Sequence, residues 1–226
     1  MKNALFTLYL IFLSILPAYS VSHIFRGLTG ADGLSDLTVC ALYKDSCGYV
    51  WMGTSTSVER FDGVYLKHYP IPGVNEKLKW VNTITETAGN RIWIGNDMGL
   101  WQVDGDTLAR VKPETIRRGV RCVKQGKDGT LYVGSEDGLY IHKGDNWETR
   151  LIDLNVLSSG NFIISIQLDE ENGLLWAVTR NGLYAMELES GKAVHYPNTL
   201  VEKESDCSYR TMTRIGKMLY IGTMTH

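Results

Sequence analysis

One tetrapeptide pattern returns five times along this chain. The segments Trp51-Met52-Gly53-Thr54, Trp93-Ile94-Gly95-Asn96, Tyr132-Val133-Gly134-Ser135, Trp176-Ala177-Val178-Thr179 and Tyr220-Ile221-Gly222-Thr223 share it, with aromatic anchors 42, 39, 44 and 44 residues apart. Six residues after the anchor, three units carry Gly-Leu, at Gly99-Leu100, Gly138-Leu139 and Gly182-Leu183; the first has Ser57-Val58 instead. Within the first unit, Thr38 to Lys44 is β-rich, Asp45-Ser46-Cys47-Gly48 turns, Tyr49 to Thr54 is a second strand and Val58 to Phe61 a third. Asp62-Gly63 is a hairpin signal, and Val64 to Tyr69 is a fourth strand ended by Pro70. Turns at Ala88-Gly89-Asn90, Lys127-Asp128-Gly129 and Glu171-Asn172-Gly173 repeat the plan. Four short antiparallel strands every ~40–45 residues is the pattern of a β-propeller blade. A β-sandwich has similar short strands but no regular repeat.

The fold class expected is therefore all-β: about four four-stranded blades near residues 38–70, 81–112, 119–152 and 161–197, and part of a fifth over 207–226. The anchors Trp51, Trp93, Tyr132, Trp176 and Tyr220 keep strict register with the blade, so they are expected to pack between sheets rather than bind a ligand. The chain stops six residues after Tyr220, which reads as a propeller interrupted inside a blade. Ile24-Phe25-Arg26-Gly27-Leu28 is a candidate strand for completing the last blade. An incomplete propeller is expected to be marginally stable and to self-associate through unpaired blade edges, or to be covered by missing blades of a longer parent chain.

Upstream of the repeats, Lys2 precedes an apolar run from Ala4 to Leu16, and Pro17-Ala18-Tyr19-Ser20 ends in small residues two apart. This is the layout of a secretory signal peptide over 1–20, cut near Ser20, with an uncleaved anchor as the alternative. The region 21–226 would then work outside the cytoplasm. A net charge of −2 lacks the basic field that sequence-independent nucleic-acid binding requires, so no nucleic acid is expected through this segment. Cys40, Cys47, Cys122 and Cys207 match no zinc or haem spacing; a disulfide is permitted but not implied, and buried reduced thiols are the favoured reading.

The first unit reads Ala31-Asp32-Gly33-Leu34-Ser35, then Val39 to Leu42, then Lys44-Asp45-Ser46-Cys47-Gly48-Tyr49-Val50-Trp51-Met52-Gly53-Thr54, then Arg60-Phe61-Asp62-Gly63. It resembles the two-component regulator propeller repeat, whose pattern runs roughly D-G-L-S, D-x-x-G-x-[LI]-W-[IV]-G-T, G-L and R-[FY]-[DN]-G. The resemblance implies a periplasmic, ligand-sensing propeller of a hybrid two-component system histidine kinase of the Bacteroidetes type, often responding to an oligosaccharide. The kinase, receiver and DNA-binding parts of such receptors have no counterpart in this sequence, so no catalysis is expected of it. The alternatives are a secreted carbohydrate-binding or carbohydrate-active propeller, or a non-functional gene remnant.

Candidate ligand contacts are aromatic or basic residues out of register with the anchors. Trp80 stands just before the first strand of blade two, where propeller loops surround the channel mouth. Lys77 and Lys79 share that loop, and Arg117, Arg118 and Arg121 open blade three. Together they would suit the carboxylate or sulfate of an acidic sugar or a partner propeller; solvated loop charge is the simpler alternative. Trp101 and Trp147 read as inter-blade or surface packing. The carboxylates Asp62, Asp104, Asp106, Asp128, Asp137, Asp145 and Asp169-Glu170-Glu171 sit in turns, where Asp is a turn former, rather than as a catalytic pair. No cofactor and no metal site is expected: His68-Tyr69-Pro70 and His195-Tyr196-Pro197 recur as repeat homology on outer strands, and His23, His142 and His226 are isolated.

Overall fold

A computed structural model describes residues 27–71, 78–111, 116, 118–153, 159–197 and 207–225. The signal-peptide segment and most of the proposed closing strand, residues 1–20 and 24–26, lie outside them. Four antiparallel sheets of four strands follow one another, each a meander in chain order. The first comprises β1 (Val39–Lys44), β2 (Val50–Thr54), β3 (Val58–Phe61) and β4 (Leu66–His68). The second comprises β5 (Val81–Thr87), β6 (Arg91–Asn96), β7 (Gly99–Asp104) and β8 (Thr107–Arg110). The third holds β9 (Val120–Gln125), β10 (Leu131–Ser135), β11 (Leu139–Lys143) and β12 (Asn146–Arg150). The fourth holds β13 (Ile163–Asp169), β14 (Leu174–Thr179), β15 (Gly182–Glu187) and β16 (Ala193–Tyr196). A hairpin of β17 (Cys207–Ile215) and β18 (Met218–Thr225) forms the described part of a fifth. The first strands β1, β5, β9, β13 and β17 neighbour one another in turn. This is an arc of β-propeller blades.

The anchors earn their periodicity by filling the space between blades. Trp51 is 2% exposed and packs with Val58 and Tyr69 of its own blade against Val81, Ile84 and Trp101 of the next. Trp93 meets Val120, Val123 and Tyr140, and Tyr132 meets Ile163, Ile166 and Tyr184, in the same way. Each such buried side chain contributes about 1.5–3 kcal/mol relative to exposure. Burying an indole leaves its N–H to be satisfied. The turn six residues earlier does so: Trp51 Nε1 donates to Asp45 Oδ2 at 2.8 Å, and Trp93 Nε1 to Thr87 Oγ1 at 2.9 Å. Asp45 Oδ1 also accepts the Tyr49 N–H at 2.8 Å, and Gly48 at φ 92° closes the turn. Trp101 is buried between blades, donating Nε1 to Asn96 Oδ1 at 3.1 Å, whereas Trp147 stacks on His142 with ring centroids 4.5 Å apart.

Adjacent blades are latched where first and second strands join. Ser46 donates its N–H and Oγ to Glu86 at 2.8 and 2.7 Å; the Ala88 N–H reaches Gln125 Oε1 at 2.8 Å, and the Lys127 N–H reaches Glu170 Oε1 at 2.6 Å. Arg214 Nη1 closes the series on Asp169 Oδ1 at 2.8 Å. Two polar clefts of about 420 and 450 Å³ lie along these latches.

Three readings need correction. Cys40 and Cys47 are exposed free thiols, because Cys40 stands on an irregular part of β1 and Cys47 at a turn; Cys122 is buried and free, and burial pushes its thiol up to about 12, while the Cys207 side chain lies outside the described residues. Tyr220 is 52% exposed, since no sheet among the described residues covers its side of β18. The fourth strand of the first blade begins at Leu66, not Val64, because Asp62 Oδ1 takes the N–H groups of Val64 and Tyr65 into the turn.

Candidate functional site

The segment before each first strand and the loop between second and third strands meet on one side of the sheets. A backbone hydrogen bond fixes them in every full blade: Ser55 N to Thr38 O at 3.1 Å, Asp97 N to Lys79 O at 3.2 Å, Glu136 N to Gly119 O at 3.0 Å and Arg180 N to Phe162 O at 3.1 Å. A further bond, Trp80 N to Ser55 O at 3.0 Å, ties blade two to blade one. The result is a rim whose side chains come from loops but whose backbone is anchored.

Every first strand then bulges at the same place. Pairing skips Cys40, Asn82, Arg121 and Ile164, each after a single pair, and Arg210 after three. A bulge adds an unpaired residue and re-aims its side chain. Here it leans toward the next blade. Asn82 Nδ2 donates to Val120 O at 3.0 Å, the Arg121 guanidinium lies 5.4 Å from the Phe162 ring centroid, and Ile164 packs against the cluster containing Tyr209 and Met212. Cys40 feels Asp97 across the same gap: burial first, then the charges of Asp36 and Asp97, raise its thiol above the ordinary value.

The predicted contact residues separate on this rim. Trp80 is 52% exposed with φ 41°, a left-handed conformation that a bulky residue adopts at a cost of about 1–3 kcal/mol. Lys79 and Arg118 are exposed. Lys77 and Arg117 lie outside the described residues. Arg121 is already occupied: it donates Nη1 to Asn82 Oδ1 at 2.9 Å, bonds Glu136 through Nη2, and stands 3.5 Å from Asp97. Asn82 Nδ2 also donates to Asp97 Oδ1 at 3.0 Å, so blades two and three share one polar network. Its charge is spent on Asp97 and Glu136, and the basic patch expected from Lys79, Arg118 and Arg121 together is interrupted there.

Two contributors went unseen in the sequence. Arg180 is exposed and its guanidinium lies 3.6 Å from the centroid of the Phe162 ring, a close cation–π stack. Asp36 accepts the Thr38 N–H at 2.7 Å and the Ser55 hydroxyl. The available signal was position: Ser55, Asp97, Glu136 and Arg180 all stand four residues after an anchor. The rim thus offers an exposed indole, a planar cation resting on an aromatic ring, and ordered carboxylates and amides. Such a surface can stack a flat apolar face and hydrogen-bond its polar substituents.

The turn carboxylates are engaged elsewhere. Asp62 is held below the usual carboxylate range by the Tyr65 and Val64 N–H groups, Asp106 by its bond to Lys67, Asp128 by Thr130, and Asp169 by Asn172 and then Arg214. Among the described residues no group of three His, Cys, Asp or Glu could hold a metal ion, and no helix is long and apolar enough to cross a membrane.

Residues 33–56, from Gly33 at the end of the capped turn before β1 to just past the end of β2, match the family model for the two component regulator propeller. The first blade carries a two-component regulator propeller repeat. Solved structures place the same arc in larger molecules. The chain is similar to the extracellular domain of a putative hybrid two component system from B. thetaiotaomicron, with a TM-score of 0.71 at 17% identity over 88% of this chain and 29% of that one. It is similar to the extracellular domain of a putative one component system from the same organism, with a TM-score of 0.55 at 19% identity over 82% and 31%. Virginiamycin B lyase from Staphylococcus aureus gives 0.62 at 12% identity over 81% and 62%. At these identities the likeness is one of fold. The regulator propeller repeat is therefore carried by the family match, and no curated protein sequence matches the chain.

Proposed function

We propose that this chain is a ligand-sensing propeller region of an extracytoplasmic receptor of the two-component regulator type, and that its ligand is a carbohydrate bound at the rim. The observation that carries this reading is Trp80. A large apolar side chain is held half out of the surface, in a strained backbone conformation, by a hydrogen bond to the neighbouring blade. Strain of that kind persists where the surroundings enforce it, and it gathers at ligand sites. Indole faces stack on sugar rings, and Arg180, Arg118 and Lys79 would select acidic or sulfated substituents.

The mechanism is binding. Ligand contacts shared between loops of different blades would favour one arrangement of the receptor over another, by no more than the ligand's difference in affinity for the two. The test is calorimetric titration of the purified chain, and of Trp80→Ala, with neutral and uronic-acid or sulfated oligosaccharides. An acidic oligosaccharide is expected to bind, with affinity falling roughly tenfold or more in Trp80→Ala at an unchanged melting temperature. Equal affinity of the two proteins would remove the rim from consideration. Conversion of the oligosaccharide during incubation would favour a carbohydrate-active propeller instead.

A further inference from the structure

Two arginines stand at the same bulge of different first strands. Pairing skips Arg121 opposite Gly134 and Ser135, and Arg210 opposite Gly222 and Thr223. A guanidinium keeps its charge at every working pH, so each needs an answer to that charge. Arg121 has three oxygen partners: Asn82 at the bulge of the preceding blade, Asp97 four residues after that blade's anchor, and Glu136 four residues after the anchor of its own. The two blades that meet at this junction supply all three.

The same three places around Arg210 hold Ile164, Arg180 and Met224. None of these side chains carries an oxygen, and one is a second cation. Ile164 packs instead on the apolar cluster of Tyr209 and Met212, and Met224 is exposed. Arg180 and Arg210 are both exposed, and among the described residues neither pairs with a carboxylate. Arg180 is nonetheless held in place. Its guanidinium lies 3.6 Å from the Phe162 ring centroid, and its backbone N–H is fixed to Phe162 O at 3.1 Å. A guanidinium stacked on a ring keeps the N–H groups of its edge open to a ligand.

We propose that Arg180 and Arg210 form an oxyanion site on the rim at the junction of blades four and five, taking the sulfate or carboxylate group of a larger ligand. Blades two and three answer the bulge arginine with Asp97; blade four puts a cation in the place of that aspartate, and the negative charge is left for a ligand to supply. An oxyanion bound there offsets the repulsion between the two cations and accepts charge-assisted hydrogen bonds from both. The site is open to solvent, so salt weakens it. It does not depend on Trp80, which stands at the junction of blades one and two, nor on the ligand being a carbohydrate; where the ligand is an acidic oligosaccharide, its charged substituent sits here.

Titration of the purified chain with inorganic sulfate, and separately with acetate, tests this at an ionic strength held constant with chloride. The readout is the guanidinium Nε–H resonances in nitrogen-edited NMR spectra. Arg180→Gln and Arg210→Gln assign the two resonances, and because both side chains are exposed, both variants are expected to melt with the parent. In the parent the two resonances should move together along one saturating curve, and which anion saturates tells a sulfate ester from a carboxylate. Either Gln variant should bind roughly tenfold more weakly. Arg180→Asp rebuilds the charge pattern of Asp97 and Arg121 and should abolish binding. No saturation with either anion by about 0.1 M would overturn the proposal. So would two resonances that move with different dissociation constants, or an Arg180→Asp chain that binds as the parent does. Sulfate or acetate binding that persists while Trp80→Ala leaves oligosaccharide affinity unchanged would remove the carbohydrate reading and keep this site.

Discussion

Val81 fills the space above Gly53 so completely that a methyl group on the glycine would stand 2.3 Å from its Cγ1. The neighbour is a β-branched side chain fixed in a strand, with few rotamers to escape into. Gly53→Ala, Gly95→Ala and Gly134→Ala should each destabilise the chain by about 1–3 kcal/mol through overpacking, read from urea midpoints. Gly222→Ala, which meets only Thr211 of its own hairpin, should cost less than any of the three.

Asp45 carries two obligations at once. Replacing it with Ala strands the buried Trp51 indole N–H and the Tyr49 N–H. Asp45→Ala should lower stability by about 1–3 kcal/mol, and Asp45→Asn, which retains an acceptor oxygen, by less. Denaturant unfolding followed by tryptophan emission measures both.

Arg121, held by Asn82, Glu136 and Asp97, is expected to position the rim network rather than touch a ligand. Arg121→Ala leaves Asp97 and Glu136 without their shared cation and should destabilise by about 1–3 kcal/mol. Charge loss at the exposed Arg180 should instead leave the melting temperature unchanged and weaken binding of an acidic oligosaccharide. The opposite pattern would exchange the two roles.

The pH dependence follows from four turn carboxyls, Asp62, Asp106, Asp128 and Asp169, held below the usual range in the fold. The unfolded chain, with ordinary carboxyls near ~3.9, binds protons more readily. Their contribution is fully present above that value and is lost as pH falls through the lowered folded values. Thermal melting should ease down as pH falls through the imidazole range, because burial lowers His142 below its ordinary value and the unfolded chain takes up that proton more readily, and then fall steeply below about pH 4. Asp62→Asn and Asp128→Asn should flatten the fall.

Thiol labelling separates the cysteines. In a Cys207→Ser background, Cys40 and Cys47 should react in the native protein, and Cys122, pushed up to about 12 by burial, only on unfolding. Cys40 should gain rate with pH beyond the point where an ordinary thiol levels off, because burial and the Asp36 and Asp97 charges raise it.

Legibility in the sequence followed the range of the interaction. The blade order, the third strand Val58–Phe61 and the packing role of Trp51 and Trp93 were readable because each depends on residues within one period: an anchor, its glycine and its capping turn. Trp80, which is exposed, stood out because it broke that register. The fate of Arg121 was not, since its partner Asp97 belongs to another blade and Asn82 reaches it only across the bulge. The Phe162–Arg180 stack stayed hidden for a similar reason: two residues far apart in sequence meet only once the loop hydrogen bond between their backbones forms. Exposure of Cys40 was hidden too, because a bulge leaves little trace in local composition.

That bulge also separates two kinds of selection. Within each first strand, Val81, Val120 and Ile163 are tied to the packing of two blades, while the next residue, Asn82, Arg121 or Ile164, is released from pairing and turned along the rim. Mutations at the released position change the opening and the joint together, because Asn82 bonds Val120 of the next blade, Arg121 bonds Asn82 of the preceding one, and Ile164 packs on the cluster with Tyr209. Duplicated blades would then inherit a shared scaffold in which each variable letter is read together with its neighbour, so that a change at Asn82 calls for an answering change at Arg121.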